Sequence, residues 1–232
     1  METVLEHLDD LRSRIIKIIV FFGAFSVLGY ILSGRIIRYL SESLLLKDLG
    51  VRLIVTHPVE FFYTELNVAV FVGFVLSLPI IAYYIYGFLK PGMSKKERKA
   101  VKVSVPAFAG LFVIGVLFAY FVILRVVIWF FSELAMTGGV ENLWGIGNFI
   151  SFVFLTCISL GIVFQLPAVS LLLVRLGVIS IETLKENRGF VIVGVFLLSA
   201  LITPPDPLTQ VLVALPMVIL FEISILCARF FG

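Results

Sequence analysis

Acid–base and metal chemistry have little to work with in this chain. It carries two histidines and two cysteines in 232 residues. His7 lies in an N-terminal amphipathic segment and His57 beyond the first apolar run, so they cannot share a site. There is no HExxH, no GxSxG, no phosphate-binding P-loop and no Cys/His cluster, and neither cysteine has a base near it in sequence. Hydrolase and metalloenzyme readings therefore lack their reagents, and no catalytic residue, metal or cofactor is expected. Cys157 and Cys227 both sit in apolar runs, which fits buried thiols better than a disulfide or a metal pair. Charge is scarce as well, at 14% of residues, and nothing resembles a nucleic-acid module. Internal repeats, low-complexity tracts and a second domain are also missing.

What fills the chain instead is hydrocarbon. Hydrophobic residues make up 61% of it and its mean hydropathy is +1.15, which a soluble core inside a polar surface does not reach. The expected class is an all-α polytopic membrane protein, one six-span membrane domain over residues 1–232, with spans at about 15–32, 61–89, 103–131, 148–174, 189–203 and 208–231. The leader METVLEHLDD is acidic, unlike that of a secretory signal, so the first run reads as an uncleaved span.

Orientation follows from basic residues. The loop Leu89 to Lys102 holds Lys90, Lys95, Lys96, Arg98, Lys99 and Lys102 against one acid, Glu97. Lys and Arg beside span ends resist translocation, so this loop and both termini are assigned to the cytoplasmic side. Thirteen of the eighteen basic residues then fall inside, and the net charge of +3 expresses orientation rather than nucleic-acid binding. Arg35, Arg38, Lys47 and Arg52, in the segment from Ser33 to Pro58, dilute that signal on the outer side.

Residues 3–15 place Val4, Leu8, Leu11 and Ile15 on one helical stripe, predicting a helix along the membrane surface before the chain turns inward. The segment after span one predicts an amphipathic piece and a short extended stretch at VRLIVTHPVE, together capping the outer face. Pro79 and Pro106 are expected kink sites in spans two and three. Span five, about 15 residues or about 22 Å of helix, is shorter than the hydrocarbon core.

Polar groups inside the spans are costly and often functional. Glu65, Gln165 and Glu222 are the candidates, and two readings stand: interhelical hydrogen bonding, or ion sites of a proton- or solute-coupled secondary transporter. Other acids have local explanations. Asp206 before Pro207 fits an N-cap of span six, Ser94 with Glu97 fits a capping box, and Asp10 with Arg14 fits an i,i+4 pair. A third reading is an assembly scaffold that only gathers partners.

Four separated stretches, HLDDLRSR (His7 to Arg14), FLKPGMSKKERK (Phe88 to Lys99), GIVFQLP (Gly161 to Pro167) and LITPPDPLTQVLVALPMVILFEI (Leu201 to Ile223), resemble the TatC family, receptors of the twin-arginine protein translocase. The resemblance covers nearly the whole chain. It implies a concave six-helix scaffold in a bacterial or archaeal cytoplasmic membrane, expected ahead of a plastid one, and neither catalysis nor cofactor. It further implies recognition of cargo signal peptides with paired arginines by Asp10 and Glu97, with Arg12 and Phe88 beside them. Partners implied are TatA- and TatB-like single-span proteins, met near Thr203, Asp206 and Gln210, with energy from the proton-motive force. Two positions depart from the family pattern: Asp10 stands where glutamate is usual, one methylene shorter, and Gln165 where glutamate is frequent, without its charge.

Overall fold

A computed structural model describes residues 2–44, 46, 48–89, 95–202 and 207–231, without the side chains of 2–7, 89, 95–97, 99, 100, 102–105, 202, 230 and 231. In chain order the elements are α1 (Glu2–Ser43), β1 (Arg52–Ile54), α2 (Glu60–Leu89), α3 (Lys95–Phe118), a π turn (Ala119–Ile123), α4 (Leu124–Thr137), β2 (Leu143–Gly145), α5 (Ile146–Val163), α6 (Leu166–Arg175), α7 (Ile181–Glu186), α8 (Arg188–Ile202) and α9 (Pro207–Phe231). Five stretches are long and apolar enough to cross a membrane, at Leu8–Ser43, Glu60–Phe88, Pro106–Thr137, Ile146–Arg175 and Pro207–Arg229, and Arg188–Leu201 is a sixth, shorter apolar helix. The class is all-α and polytopic, with six crossings. Contacts divide the described chain into two compact units, one of Met1–Ser43, Arg52–Ala109 and Leu143–Ser151, the other of Leu44–Val51, Gly110–Asn142 and Phe152–Gly232.

In the first unit α1 packs along α2 through small residues. A Cβ on Gly29 would come within 2.8 Å of Val72 Cβ, and one on Gly73 would overlap Ser26, so each glycine lets the opposite helix approach. Ser33 and Thr64 are buried near the outer end, where Ser33 Oγ donates to Glu65 Oε1 at 3.3 Å and Thr64 Oγ1 to Glu60 O at 2.8 Å. β1 pairs in parallel with β2, in register Arg52↔Leu143, Leu53↔Trp144 and Ile54↔Gly145. The extended stretch is thus found, but its partner strand comes from the loop after the third crossing, which carried no strand signal.

The Glu60 side chain fastens that outer layer. Its Oε2 accepts from Thr56 N and Thr56 Oγ1, and its Oε1 accepts from Gly147 N at 2.8 Å. One carboxylate so joins the segment after β1 to the segment after β2. Gly147 approaches closely enough that a Cβ there would lie 3.0 Å from Glu60 Cγ.

In the second unit α9 buries Val213, Met217, Phe221, Ile225 and Ala228, a stripe at helical spacing. Gly115 and Gly161 bring α3 and α5 together, since a Cβ on Gly115 would sit 2.8 Å from Gly161 Cα. α8 and α9 are joined by Gln210 Nε2 donating to Phe196 O at 3.1 Å and by an Arg188–Glu222 ion pair at 3.0 Å.

Four features differ from expectation. α1 runs unbroken for 42 residues, about 63 Å, instead of turning near Ile15 and ending near Leu32. Residues 2–22 contain neither Gly nor Pro, so nothing interrupts the amide ladder where surface and membrane segments meet. Pro79 and Pro106 lie inside helices, and the third crossing holds in addition a proline-free π turn that was not expected, where Leu124 N–H reaches Ala119 O. The fourth crossing is two helices. Pro167 cannot donate to Val163 O and Gln165 N bonds Ile162 O at 3.0 Å in a tightened turn, so the Gln165 side-chain amide takes over at Gly161 O, at 3.4 Å. The short α7 was also unforeseen. Ser180 Oγ caps it, accepting from Thr183 N at 3.1 Å. The Glu182 carboxyl in its first turn is held below the usual range by its own backbone N–H and by the Ser180 hydroxyl.

Candidate functional site

At the cytoplasmic end of α1 the Arg14 side chain reaches α2. Its Nε donates to Asp10 Oδ2 at 2.8 Å, the i,i+4 pair anticipated from spacing. Its Nη1 also donates to Tyr84 O at 3.3 Å, reaching the last turns of α2. The guanidinium lies directly over Gly87, where a Cβ would collide with Nη1. Arg14 is the better buried member of the pair, with 23% of its side chain exposed against 40% for Asp10.

These contacts set the carboxylate. Asp10 gives one oxygen to Arg14, and a carboxylate has about four acceptor positions, so it retains capacity for another donor. Phe88 follows Gly87 on the last turn of α2 and is half-buried. Arg12 faces a different way. It is exposed, and with Asp9, Ser13, Ile16 and Lys17 it borders a shallow hollow of about 310 Å³ on α1.

Glu97 belongs to the first turn of α3, and its side chain lies outside the described residues, as do Thr203 and Asp206 altogether. α9 does begin at Pro207, the position expected for proline at a helix start. Gln210 is spent on the Phe196 carbonyl, which fixes α8 to α9.

The intramembrane polar groups each have a different partner: Ser33 for Glu65, Gly161 O for Gln165 and Arg188 for Glu222. Each is thereby engaged in joining or repairing helices, as the packing reading expects.

Sequence reasoning noted Arg14 as the partner of Asp10 and as the last residue of the HLDDLRSR stretch, and passed over Tyr84, Gly87 and Glu60. The signals were faint. Gly87 immediately precedes the FLKPGMSKKERK stretch, and a backbone acceptor such as Tyr84 O leaves no trace in side-chain identity. Thr56 and Glu60, four apart at a helix start, were the only hint of the outer clasp.

Comparison with known proteins places these features. A family model described as Sec-independent protein translocase protein (TatC) matches residues 6–216. The chain is 36% identical to the Sec-independent protein translocase protein TatC of Carboxydothermus hydrogenoformans, across 98% of this chain and 93% of that one. It is 34% identical to the TatC of Escherichia coli strain K12, across 99% and 89%. A solved crystal structure of the twin arginine translocase receptor TatC is 32% identical, with a TM-score of 0.85 over 96% of this chain and 98% of that one.

Proposed function

Because this chain belongs to the TatC family of Sec-independent protein translocase proteins, we propose that its cytoplasmic end binds the paired arginines of cargo signal peptides through Asp10 and Glu97. The chain is a multi-pass receptor component of a protein translocase of the cytoplasmic membrane. Arg12 and Phe88 flank the contact, and neither catalysis nor a cofactor enters this reading.

The observation that carries the proposal is the bond from Arg14 to Asp10. Asp10 already accepts from a guanidinium, through one N–H bond to Oδ2. A signal-peptide arginine either occupies the remaining acceptor positions or displaces Arg14, which keeps its second anchor at Tyr84 O. Arginine is a planar fork with five donors, whereas lysine is a compact, strongly hydrated point charge, so a carboxylate fixed in this way favours RR over KK by geometry. Each charge-assisted bond contributes roughly 1.5–3 kcal/mol, less desolvation, which suits a receptor that must release cargo. The loop lysines oppose a basic peptide only weakly, because charges in water are screened over about 8 Å at physiological salt.

Partners in this reading are TatA- and TatB-like single-span proteins, meeting the chain around Thr203 and Asp206. Gln210 acts there by holding α8 on α9. The engagement of Glu65, Gln165 and Glu222 in helix packing supports a receptor over a solute-coupled transporter.

The test is binding of RR and KK signal peptides to the purified protein and to its Asp10→Asn and Glu97→Ala variants. The reading requires RR to bind more tightly than KK and both variants to narrow the gap. Equal binding of RR and KK to the unaltered protein would refute it.

A further inference from the structure

The outer end of α1 carries charged side chains that the receptor site does not use. Positions 31, 35, 38 and 42 recur at steps of four, three and four, so they form one stripe on a helix of 3.6 residues per turn. Toward the membrane interior the stripe continues as Ile31, Val27 and Val20, which are 72%, 61% and 63% exposed. In a membrane-spanning helix such a face meets acyl chains. Arg35 and Arg38 follow within two turns, at the level where that hydrocarbon gives way to phosphate. Tyr39, also exposed, supplies an aromatic ring of the kind that settles at this interface.

Gly34, Arg35, Arg38, Tyr39 and Glu42 line a shallow pocket of about 370 Å³. Gly34 contributes open space, since nothing lies within 4 Å of where its Cβ would stand. Among the described residues no ion pair involves Arg35, Arg38 or Glu42, so their charges stay available to something outside the protein. Basic residues here also oppose the orientation signal of the inner loops. A ligand gives them a reason to be present.

We propose that this pocket binds the zwitterionic headgroup of an outer-leaflet phosphatidylethanolamine, with the phosphodiester between Arg35 and Arg38 and the ammonium toward Glu42. Guanidinium forks match phosphate oxygens two at a time. Glu42 lies four residues beyond Arg38, about 6 Å farther along the axis, within reach of an ammonium on a two-carbon tether. The chemistry selects among lipids. A phosphatidylglycerol headgroup brings no cation to Glu42, and a choline headgroup brings a cation without an N–H to donate. The exposed Ile31, Val27 and Val20 receive the acyl chains of the same lipid.

The test uses the purified full chain in detergent, with bound lipid counted by native mass spectrometry. Phosphatidylethanolamine, phosphatidylglycerol and phosphatidylcholine of matched chains are offered alone and in competition, alongside glycerophosphoethanolamine and inorganic phosphate. The expected result is retention of phosphatidylethanolamine about tenfold or more over the other two lipids, the order of one charge-assisted bond. Arg35→Ala with Arg38→Ala should remove that retention, the two lysine replacements should leave part of it, and Glu42→Gln should equalise the ethanolamine and glycerol lipids. RR-peptide binding should be unchanged in all of them, which separates this site from the receptor site. Equal retention of the three lipids, or retention of phosphatidylethanolamine by a double alanine variant of unaltered helicity, would overturn the proposal. Displacement of the lipid by inorganic phosphate alone would assign the pocket to free phosphate and overturn it too. Should the alanine variant fail to fold, Glu42→Gln and the lysine pair decide the matter.

Discussion

Arg14 lies so close over Gly87 that a Cβ on residue 87 would have to push its guanidinium aside. The backbone of α2 is thereby shaped to receive one guanidinium, and that guanidinium positions Asp10.

Gly87→Ala should therefore weaken the receptor site without touching a charged group. The methyl displaces Arg14 from Tyr84 O, at a cost of about 1 kcal/mol, or roughly fivefold in RR-peptide affinity. Helicity should persist. Arg14→Ala with Gly87→Ala should bind no worse than Arg14→Ala alone, because both changes act on one contact. Peptide titration of the three variants measures this, and additive losses would contradict it.

Asp10→Asn keeps the size of the side chain and removes its charge. Affinity for RR peptide should fall about tenfold while KK binding changes little, since the charge-assisted fork is what distinguishes them. Asp10→Glu should stay close to the unaltered protein, because the i,i+4 spacing to Arg14 is preserved and reach is gained.

At the outer side, Glu60→Gln should lower the thermal unfolding midpoint of the detergent-solubilised protein by several degrees. An amide presents one acceptor oxygen where the carboxylate uses two, so either the Thr56 or the Gly147 bond is lost. Glu133→Gln, on an exposed residue of α4, serves as the control and should leave the midpoint in place.

Glu222→Gln separates helix packing from ion coupling. The Arg188–Glu222 pair is half-exposed, so its loss should lower stability by less than about 1 kcal/mol and leave protein export nearly intact. Abolished export by a stably folded Glu222→Gln protein would instead favour an ion-coupling role.

Much of this molecule was legible in its hydropathy. The limits of α2, α8 and α9 agree with the expected spans to within a residue or two, because apolar runs there end at charged or proline-rich turns. The Asp10–Arg14 pair followed from helical spacing alone. What escaped depends on partners far away in sequence. The β1–β2 ladder, the Glu60 clasp and the Arg14–Tyr84 bond each end on a backbone group, whose position no residue type announces. Continuity was missed for a related reason: a change from charged to apolar residues marks where α1 enters the membrane, but only Gly or Pro marks where a helix stops. The π turn, with no proline, gave no local sign at all.

The parallel pairing of β1 with β2 also bears on how the protein is made. Parallel neighbours need a crossover connection, and here it is roughly 90 residues long and traverses the bilayer twice, through α2 and then α3 to α4. While the chain is emerging from the ribosome, β1 and Glu60 reach the outer surface with neither Leu143–Gly145 nor Gly147 yet there to receive them. The outer layer locks only after the third crossing is in place, so its closure records that the first half of the protein has been threaded in the correct order.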